Sequence, residues 1–381
     1  MLKQNLESFL RSNSGRQRLP SSTLLTFKFE RRINMFNSRT IKTTNRLCIA
    51  LLVSSLAACS ENPNPEESSQ PSELRRDGHQ DTQQPLETEP IGQLTELLKT
   101  ARRIPNTSKW FEIISLPNDV YALWEPGHAE KVNSYLIIGS KKDVLYDTGM
   151  GIASIGQAII ELRAVLGREH HPLMVINSHN HLDHNGGNSD FDEAWIIQDE
   201  WAIQKLTGGL SEGFTQYWSE LTPHEDIEVP EDFDPKTFSI PPFPLKQIRY
   251  LADGDVVDLG NRQFRVIHNT SHSPDGLALH DETNQLFFGG DTFGGGFYLT
   301  RDVSLLAQDL ERISSLKVRW HCASHGSQLI EAMQEGQRLK IVRRILGGER
   351  VEGTLPFAGK EFPLYTLGDV QVVLATDFLT Y

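Results

Sequence analysis

The sequence predicts an α/β fold, and two observations lead to this class. Short segments with the apolar alternation of strands are interspersed with amphipathic segments of helical period, and no internal repeat is visible. Histidine and aspartate residues also follow directly after several of the predicted strands. Loops at strand ends are where α/β folds commonly build their sites, so the placement of these residues favours the same class.

The predicted elements belong to one domain that spans residues 92–381. Strands are predicted at 111–116, 120–124, 133–138, 143–146, 173–177, 195–198, 263–268, 277–280, 285–288 and 318–323. Helices are predicted at 92–103, 153–166, 302–315 and 328–345, and Gly167 ends the second of them.

Residues 190–250 differ in composition from the rest of this domain and predict an insertion. They contain three of the six tryptophans of the chain, and prolines crowd their second half. Because proline cannot donate to a strand ladder, this part does not fit a central strand. We expect a partly helical segment that lies over the rest of the domain. It either forms the wall of a pocket for an apolar substrate group or covers apolar surface without a role in recognition.

The first 91 residues predict export followed by a tether. Three basic residues precede an apolar stretch at 47–58, which ends in small residues directly before Cys59. This pattern resembles the signal peptide of a bacterial lipoprotein, which implies a signal at 35–58 and lipidation of Cys59; the alternative is a buried helix with an incidental cysteine. With Met35 as the true start, residues 1–34 are an upstream extension, although a long basic region that starts at Met1 fits as well. Residues 59–91 are rich in Pro, Glu, Ser and Gln and predict a disordered tether.

The net charge differs in sign between the predicted signal region and the rest of the chain. Residues 1–58 contain ten Lys or Arg and two Asp or Glu; because the whole chain carries −13, the remaining 323 residues carry −21. Such an acidic chain is a poor binder of nucleic acid or polyphosphate. We therefore expect a small-molecule substrate, attachment to a membrane through Cys59 and no nucleic-acid partner. Ser60, rather than Asp, follows the cysteine, which favours the periplasmic side of the outer membrane if the source is Gram-negative.

A dense group of metal-ligand residues follows the strand predicted at 173–177. His179 and His181 alternate as they leave the strand, so both side chains can chelate one cation. Asp183 and His184 are displaced by a turn and can face a second cation. The alternative for this cluster alone is a solvated histidine-rich loop. Three further residues weigh against that alternative, because His272, Asp291 and His325 each follow a predicted strand.

The order of these residues resembles that of the metallo-β-lactamase superfamily. The run His-x-His-x-Asp-His at 179–184 carries the resemblance, together with His272, Asp291, His325 and the earlier Asp147. The resemblance implies an αββα sandwich, in which two mixed sheets pack together with helices outside. It also implies two metal ions, usually zinc, with iron or manganese still open. His179, His181 and His272 would hold the first ion, Asp183, His184 and His325 the second, and Asp291 would bridge the two.

The implied chemistry is hydrolysis. Two divalent cations that share a water lower its pKa from about 15.7 toward 7, so hydroxide is available at neutral pH. Asp183 and Asp291 are the expected catalytic residues, since Asp183 could orient the nucleophile and accept a proton. Asp147 either holds the site by hydrogen bonds or caps a glycine turn at a strand end. Tyr298 either donates a hydrogen bond to a developing oxyanion or serves in packing.

Three functions remain open at this point. We expect a small ester, lactone or thioester as the substrate, because aspartate at the position of Asp291 is typical of the thioesterase and lactonase branches of the superfamily. A β-lactamase is the second hypothesis, although those enzymes generally have another residue there. A lipoprotein that binds metal or a partner without catalysis is the third. We also expect Cys322 to be buried and His268, His280 and His321 to lie in the core or at its edge. We expect His128, His170, His171 and His224 to lie at the surface.

Overall fold

The computed structural model describes residues 98–99, 101–209, 215–293, 297–348, 350–357, 360–368 and 370–375. The predicted extension at 1–34, the signal at 35–58, Cys59 and the tether at 59–91 all lie outside the described residues. Within the described part of the chain, no helix is both long enough and apolar enough to cross a membrane.

An eight-stranded mixed sheet forms the first half of the fold. Its strands follow each other in chain order, antiparallel up to the fifth and parallel from there on. They are β1 (Arg103–Ile104), β2 (Glu112–Leu116), β3 (Val120–Trp124), β4 (Asn133–Ile137), β5 (Asp143–Tyr146), β6 (Leu173–Ile176), β7 (Ala194–Ile197) and β8 (Ile248–Leu251).

A six-stranded mixed sheet and a smaller four-stranded sheet follow. The six-stranded sheet contains β9 (Val256–Asp258), β10 (Gln263–His268), β11 (Leu277–Asp281), β12 (Leu286–Phe288), β14 (Trp320–Cys322) and β15 (Ile330–Glu331), in the order β15-β14-β12-β11-β10-β9. The four-stranded sheet contains β13 (Phe297–Leu299), β16 (Gly353–Phe357), β17 (Lys360–Leu367) and β18 (Val370–Ala375), in the order β13-β18-β17-β16.

Six α-helices are described. They are α1 (Ile155–Val165), α2 (Leu182–Asn185), α3 (Glu200–Gly208), α4 (Thr215–Trp218), α5 (Val303–Ser314) and α6 (Met333–Leu346).

The apolar clusters show how these layers stack. One cluster joins the facing sides of the two large sheets, where Tyr135 of β4 meets Phe288 of β12 edge to face at 5.3 Å. A second cluster joins the outer side of the first sheet to α1, and a third joins the outer side of the second sheet to α5 and α6. The layer order is therefore α-β-β-α, which confirms the predicted fold class.

The structure corrects several predicted boundaries. The predicted insertion at 190–250 is too long, because β7 and β8 at its two ends are parallel neighbours in the first sheet. In the predicted helix at 92–103, residues 98–99 are helical, but β1 pairs with β2 instead of continuing a helix. The predicted helix at 328–345 begins only at Met333, since β15 pairs with β14. The four-stranded sheet was not predicted. Its strand β13 contains Tyr298, which the sequence analysis named only as a candidate for an oxyanion contact or for packing.

Candidate metal centre

A helical turn displaces the second pair of ligand-type residues from the first pair. β6 ends at Ile176, and α2 begins directly after His181, so Asp183 and His184 lie on this short helix. The helix is held against the loop after β5, where the amide of Thr148 donates to the carbonyl of His184 at 2.9 Å. Gly186 is required by the close approach of the two loops, since a Cβ there would lie 2.3 Å from the carbonyl oxygen of Met150.

Three imidazole nitrogens converge in the first group of ligand-type residues. His179 Nε2 lies 3.0 Å from His181 Nδ1, and His272 Nε2 lies 3.2 Å and 3.0 Å from those two atoms. Zinc–nitrogen distances of about 2.0–2.1 Å in a tetrahedral site place ligand nitrogens about 3.3 Å apart. The observed spacing therefore fits a single cation among the three rings.

The second group combines two imidazoles with two carboxylates. His184 Nε2 lies 3.3 Å from Asp183 Oδ2 and 3.2 Å from Asp291 Oδ1. His325 Nε2 lies 3.6 Å and 3.1 Å from the same two oxygens. Four ligand atoms of types that zinc accepts thus face one another within reach of one ion.

Asp291 is common to both groups. Its Oδ2 lies 3.5 Å from His272 Nε2 and 3.9 Å from His179 Nε2, while its Oδ1 faces His184 and His325. Asp291 Oδ1 and His184 Nε2 are buried, and neither has a hydrogen-bond partner among the described residues. Buried polar atoms without partners are costly, so these two atoms fit a role as ligands of a cation.

The outward nitrogens of three rings have their own partners. His184 Nδ1 lies 3.0 Å from Asp147 Oδ2, His179 Nδ1 lies 2.9 Å from Ser178 Oγ, and His325 Nδ1 lies 2.8 Å from the carbonyl oxygen of Glu130. Such partners fix the tautomer and direct the opposite nitrogen into the site.

Asp147 joins the site to the backbone of the neighbouring loop. It is fully buried, and its Oδ1 accepts a hydrogen bond from the amide of Ser178 at 2.6 Å. Its backbone adopts a left-handed conformation with φ 65°, which aspartate tolerates better than most residues. The side chain thus accepts bonds from the loop and from His184 together, which favours the first of the two predicted roles.

The histidine pKa values shift in opposite directions in the two ligand groups. Burial lowers the pKa of His179 well below its usual value and lowers that of His181 to about 3, with neighbouring imidazoles adding to the effect. These rings are therefore neutral, as metal ligation requires. Burial also lowers the pKa of His325, but Asp291 and Asp183 outweigh it and raise that pKa to about 10.

Several residues around the site have no motif in the sequence. Glu125 is buried, accepts hydrogen bonds from Trp110 Nε1 at 2.6 Å and from the amide of Met150 at 3.0 Å, and thereby holds the loop after β5. Burial raises the pKa of Glu125 to about 7. Trp201 of α3 meets the ring of His181 edge to face at 5.7 Å.

The other residues that the sequence analysis named lie outside the two ligand groups. Tyr298 is buried in the third apolar cluster, and its hydroxyl donates to Glu335 Oε2 at 3.2 Å, which favours the packing role. Cys322 is buried, as predicted. His268, His280 and His321 lie in the core or at its edge, as predicted. His170 and His224 are exposed and His171 is half-buried, but the surface prediction for His128 is wrong. That ring is buried, with Nε2 2.8 Å from the carbonyl oxygen of Tyr217.

The fold and the two ligand groups define a class of metallo-hydrolase. The model of the metallo-beta-lactamase superfamily matches residues 129–342, more than half of the chain, and the chain belongs to that superfamily. The protein is a hydrolase of this superfamily.

Three comparisons describe what the chain is similar to. The acyl-coenzyme A thioesterase MBLAC2 of Gallus gallus is 30% identical over 194 residues, which cover 49% of this chain and 68% of that protein. The protein of the same name from Homo sapiens is 29% identical over 197 residues, with the same coverage. A solved beta-lactamase domain protein from Burkholderia ambifaria aligns with a TM-score of 0.44 and 18% identity, and the alignment covers 64% of this chain and 79% of that chain.

Proposed function

We propose that the protein hydrolyses a small acyl thioester at a centre of two divalent metal ions, zinc being the metal that the ligand types favour. The observation that carries the proposal is the pair of ligand groups that share Asp291. His179, His181 and His272 would hold one ion and Asp183, His184 and His325 the other, with the two oxygens of Asp291 between them.

The reaction adds water to the acyl carbon and breaks the carbon–sulfur bond, and the thiol leaves with a proton. When bound, the cations lower the pKa of the attacking water and polarise the acyl oxygen. Asp183 Oδ2 lies at the inner side of the second group, 3.3 Å from His184 Nε2, where it can orient the water and accept its proton. Asp147, Ser178 and the carbonyl of Glu130 keep the imidazoles in fixed orientations through their outward nitrogens.

A thioester is a better candidate substrate than an ester or lactone because the relatives named above are acyl-coenzyme A thioesterases. Trp201 lies half-buried beside His181 and offers an apolar wall for an acyl chain. The net charge of −21 on residues 59–381 disfavours binding of a polyphosphate group on the substrate, so we expect the protein to recognise the acyl group and the thioester. Acyl-coenzyme A carries a charged nucleotide that acyl-pantetheine lacks. A comparison of the two substrates therefore distinguishes affinity for the nucleotide from affinity for the acyl thioester.

Metal content and a substrate panel test the proposal. The purified protein should contain close to two metal ions per chain and should hydrolyse octanoyl-pantetheine, and a chelator should abolish this activity. Asp291→Ala and Asp183→Ala should each abolish turnover, whereas Asp192→Ala, at an exposed position, should retain wild-type rates. Absence of metal, or activity that survives either of the first two changes, contradicts the mechanism. Preferential cleavage of a chromogenic cephalosporin would replace the thioesterase with the β-lactamase hypothesis. A metal-loaded protein that is inactive on the whole panel would favour a binding role.

Export completes the proposal. A signal at 35–58 and a lipid on Cys59 would hold the hydrolase domain at a membrane surface through the tether at 59–91. The sequence pattern alone supports this part, and the periplasmic side of the outer membrane is the location that Ser60 favours.

A further inference from the structure

Asn180 lies between two ligand-type residues of the first group in the sequence, but its side chain has other partners. His179 and His181 direct ring nitrogens into the first group, whereas the amide of Asn180 contacts residues outside both ligand groups. Successive residues of an extended segment point to opposite sides of the chain, which accounts for this alternation. Asn180 is only 3% exposed, so its amide depends on partners within the protein.

Asp275 is the first of these partners, and it lies in the loop that carries His272. The nitrogen Nδ2 of Asn180 donates to Asp275 Oδ2 at 2.6 Å, and Asp275 is only 1% exposed. Because an ionised carboxylate can only accept, this contact fixes which end of the Asn180 amide faces Asp275. A backbone bond joins the same two segments, from the amide of Leu277 to the carbonyl of Ser178 at 2.6 Å. The two segments that supply the first ligand group are therefore joined by a side-chain bond as well as by the backbone.

The other end of the Asn180 amide reaches the helix of the second group. Asn180 Oδ1 accepts a hydrogen bond from Asn185 Nδ2 at 3.4 Å, and Asn185 directly follows His184 on α2. Asn185 is also buried, so all three polar side chains of this network are shielded from solvent. The 2.6 Å bond to Asp275 is the shorter of the two and is the firmer attachment of Asn180.

The Asp275 carboxylate makes this attachment stronger than a bond between two neutral groups. Burial raises the pKa of Asp275 to about 6, and the hydrogen bond from Asn180 opposes the rise. The carboxylate is therefore mainly ionised at neutral pH, and hydrogen bonds to ionised acceptors are about twice as strong as neutral ones. A buried charge without such a donor would be costly, so Asn180 and Asp275 depend on each other.

We propose that Asn180 and Asp275 are positioning residues for the first metal ion. Their bond holds the loop of His272 at the spacing that one ion requires from His179 and His181. This inference rests on the metal centre of the proposed function and adds to it a pair of residues that act through the ligands. Ligand nitrogens about 3.3 Å apart suit one zinc ion, and the three rings present nitrogens 3.0 to 3.2 Å apart. Separation of the two loops would move His272 away from the other rings and lower the affinity for the first ion.

Three substitutions distinguish the role of the bond from that of the charge. Asn180→Ala removes the donor and Asp275→Ala removes the acceptor, whereas Asp275→Asn removes the charge and keeps an acceptor oxygen. Changes to the partners of metal ligands cost about 10- to 100-fold in metal affinity. Because these residues act one step further out, we expect the first ion to bind about tenfold more weakly in each alanine variant. Asp275→Asn should stay close to the wild type. The double variant Asn180→Ala/Asp275→Ala should be no weaker than either single variant, since all three lack the same bond.

Zinc titration against a competing chelator measures both affinities and needs no turnover. His181→Ala and His325→Ala assign the two binding steps, because each removes a ligand-type residue of one group only. In the test variants the second ion should keep its wild-type affinity. Asn284→Ala is the matched control, because it removes a bond of the same type, from Asn284 Nδ2 to Asp281 Oδ2 at 2.8 Å, in the turn between β11 and β12. It should leave both affinities unchanged.

Each outcome of this titration bears on the inference. Wild-type affinity for the first ion in both alanine variants would overturn it. Additive losses in the double variant would also overturn it, as would a loss in Asp275→Asn equal to that in Asp275→Ala, which would assign the effect to charge. Equal weakening of both ions with a lower thermal midpoint would assign the pair a general structural role and would overturn it too. A wild-type protein that binds two ions but hydrolyses no thioester would overturn the proposed function alone, and one that binds no metal would overturn both proposals.

Discussion

Replacing Asp147 by asparagine is expected to weaken metal binding in the second ligand group while the first group stays loaded. Both oxygens of Asp147 accept a hydrogen bond, one from the amide of Ser178 at 2.6 Å and one from His184 Nδ1 at 3.0 Å. Asparagine offers one acceptor and one donor in the same shape. The backbone amide of Ser178 can only donate, so the carbonyl of the new side chain faces it and the amide group faces His184.

The consequence for His184 follows from its tautomers. A donor facing Nδ1 requires that nitrogen to accept, which moves the ring proton to Nε2. Nε2 is the atom that faces Asp183 and Asp291, and a protonated nitrogen cannot bind a cation. Changes to such outer partners cost about 10- to 100-fold in metal affinity, or about 1.4–2.7 kcal/mol. Asparagine also tolerates the left-handed backbone at this position, so the test is cleaner than an alanine substitution.

Metal titration against a competing chelator measures the effect. Asp147→Asn should bind one ion with wild-type affinity and the other about 10- to 100-fold more weakly, and its thioesterase activity should return at high metal concentration. Asp226→Asn is the matched control, because Asp226 has a φ of 66° and is exposed. Two ions bound by Asp147→Asn with wild-type affinity would refute the tautomer argument and the role of Asp147.

Two further predictions concern the substrate and the membrane. Trp201→Ala removes the aromatic wall beside His181, so the ratio of kcat/KM for octanoyl to acetyl thioesters should fall about tenfold; Ile203→Ala, in the same helix, is the control. An unchanged chain-length preference would exclude Trp201 from the pocket. Labelled palmitate should enter the full-length chain in a bacterial host and should not enter Cys59→Ala, and a wild-type chain without label would contradict the lipid anchor.

The seven ligand-type residues could be found in the sequence because backbone hydrogen bonding fixes where strands end. β6 and β12 are short apolar runs and β10 alternates between polar and apolar residues, and β6, β10, β12 and β14 are each followed within a few residues by a ligand-type side chain. Since the strands of a mixed sheet present their ends at common edges, residues far apart in sequence meet there. Asp291 illustrates this, because its Oδ1 lies 3.1 Å from His325 Nε2 and 3.2 Å from His184 Nε2.

The extent of the segment over the sheet could not be predicted in the same way. β7 and β8 are four-residue strands on either side of a long excursion, and their parallel pairing is set by packing against the sheet, not by local pattern. The C-terminal sheet did carry a signal, since residues 360–367 and 370–375 alternate around a turn in which Gly368 has a φ of 61°. Pro356 and Pro363 argue against strands there, but both lie in the pairing of β16 with β17 in this sheet of four strands.

Tyr298 and Tyr217 show why the surroundings of the metal ligands are harder to predict from the sequence than the ligands themselves. Tyr298 is close to Asp291 in sequence, but β13 pairs with β18, and the hydroxyl of Tyr298 meets Glu335 in the core. Tyr217 lies in a segment without any motif, yet its carbonyl oxygen lies 2.8 Å from His128 Nε2, in the loop at 126–131 that also contacts His325. Sequence proximity to a ligand therefore says little about the wall of this site. The loop that orients His325 also holds the backbone of Tyr217, so a change in that loop is expected to alter metal binding in the second ligand group.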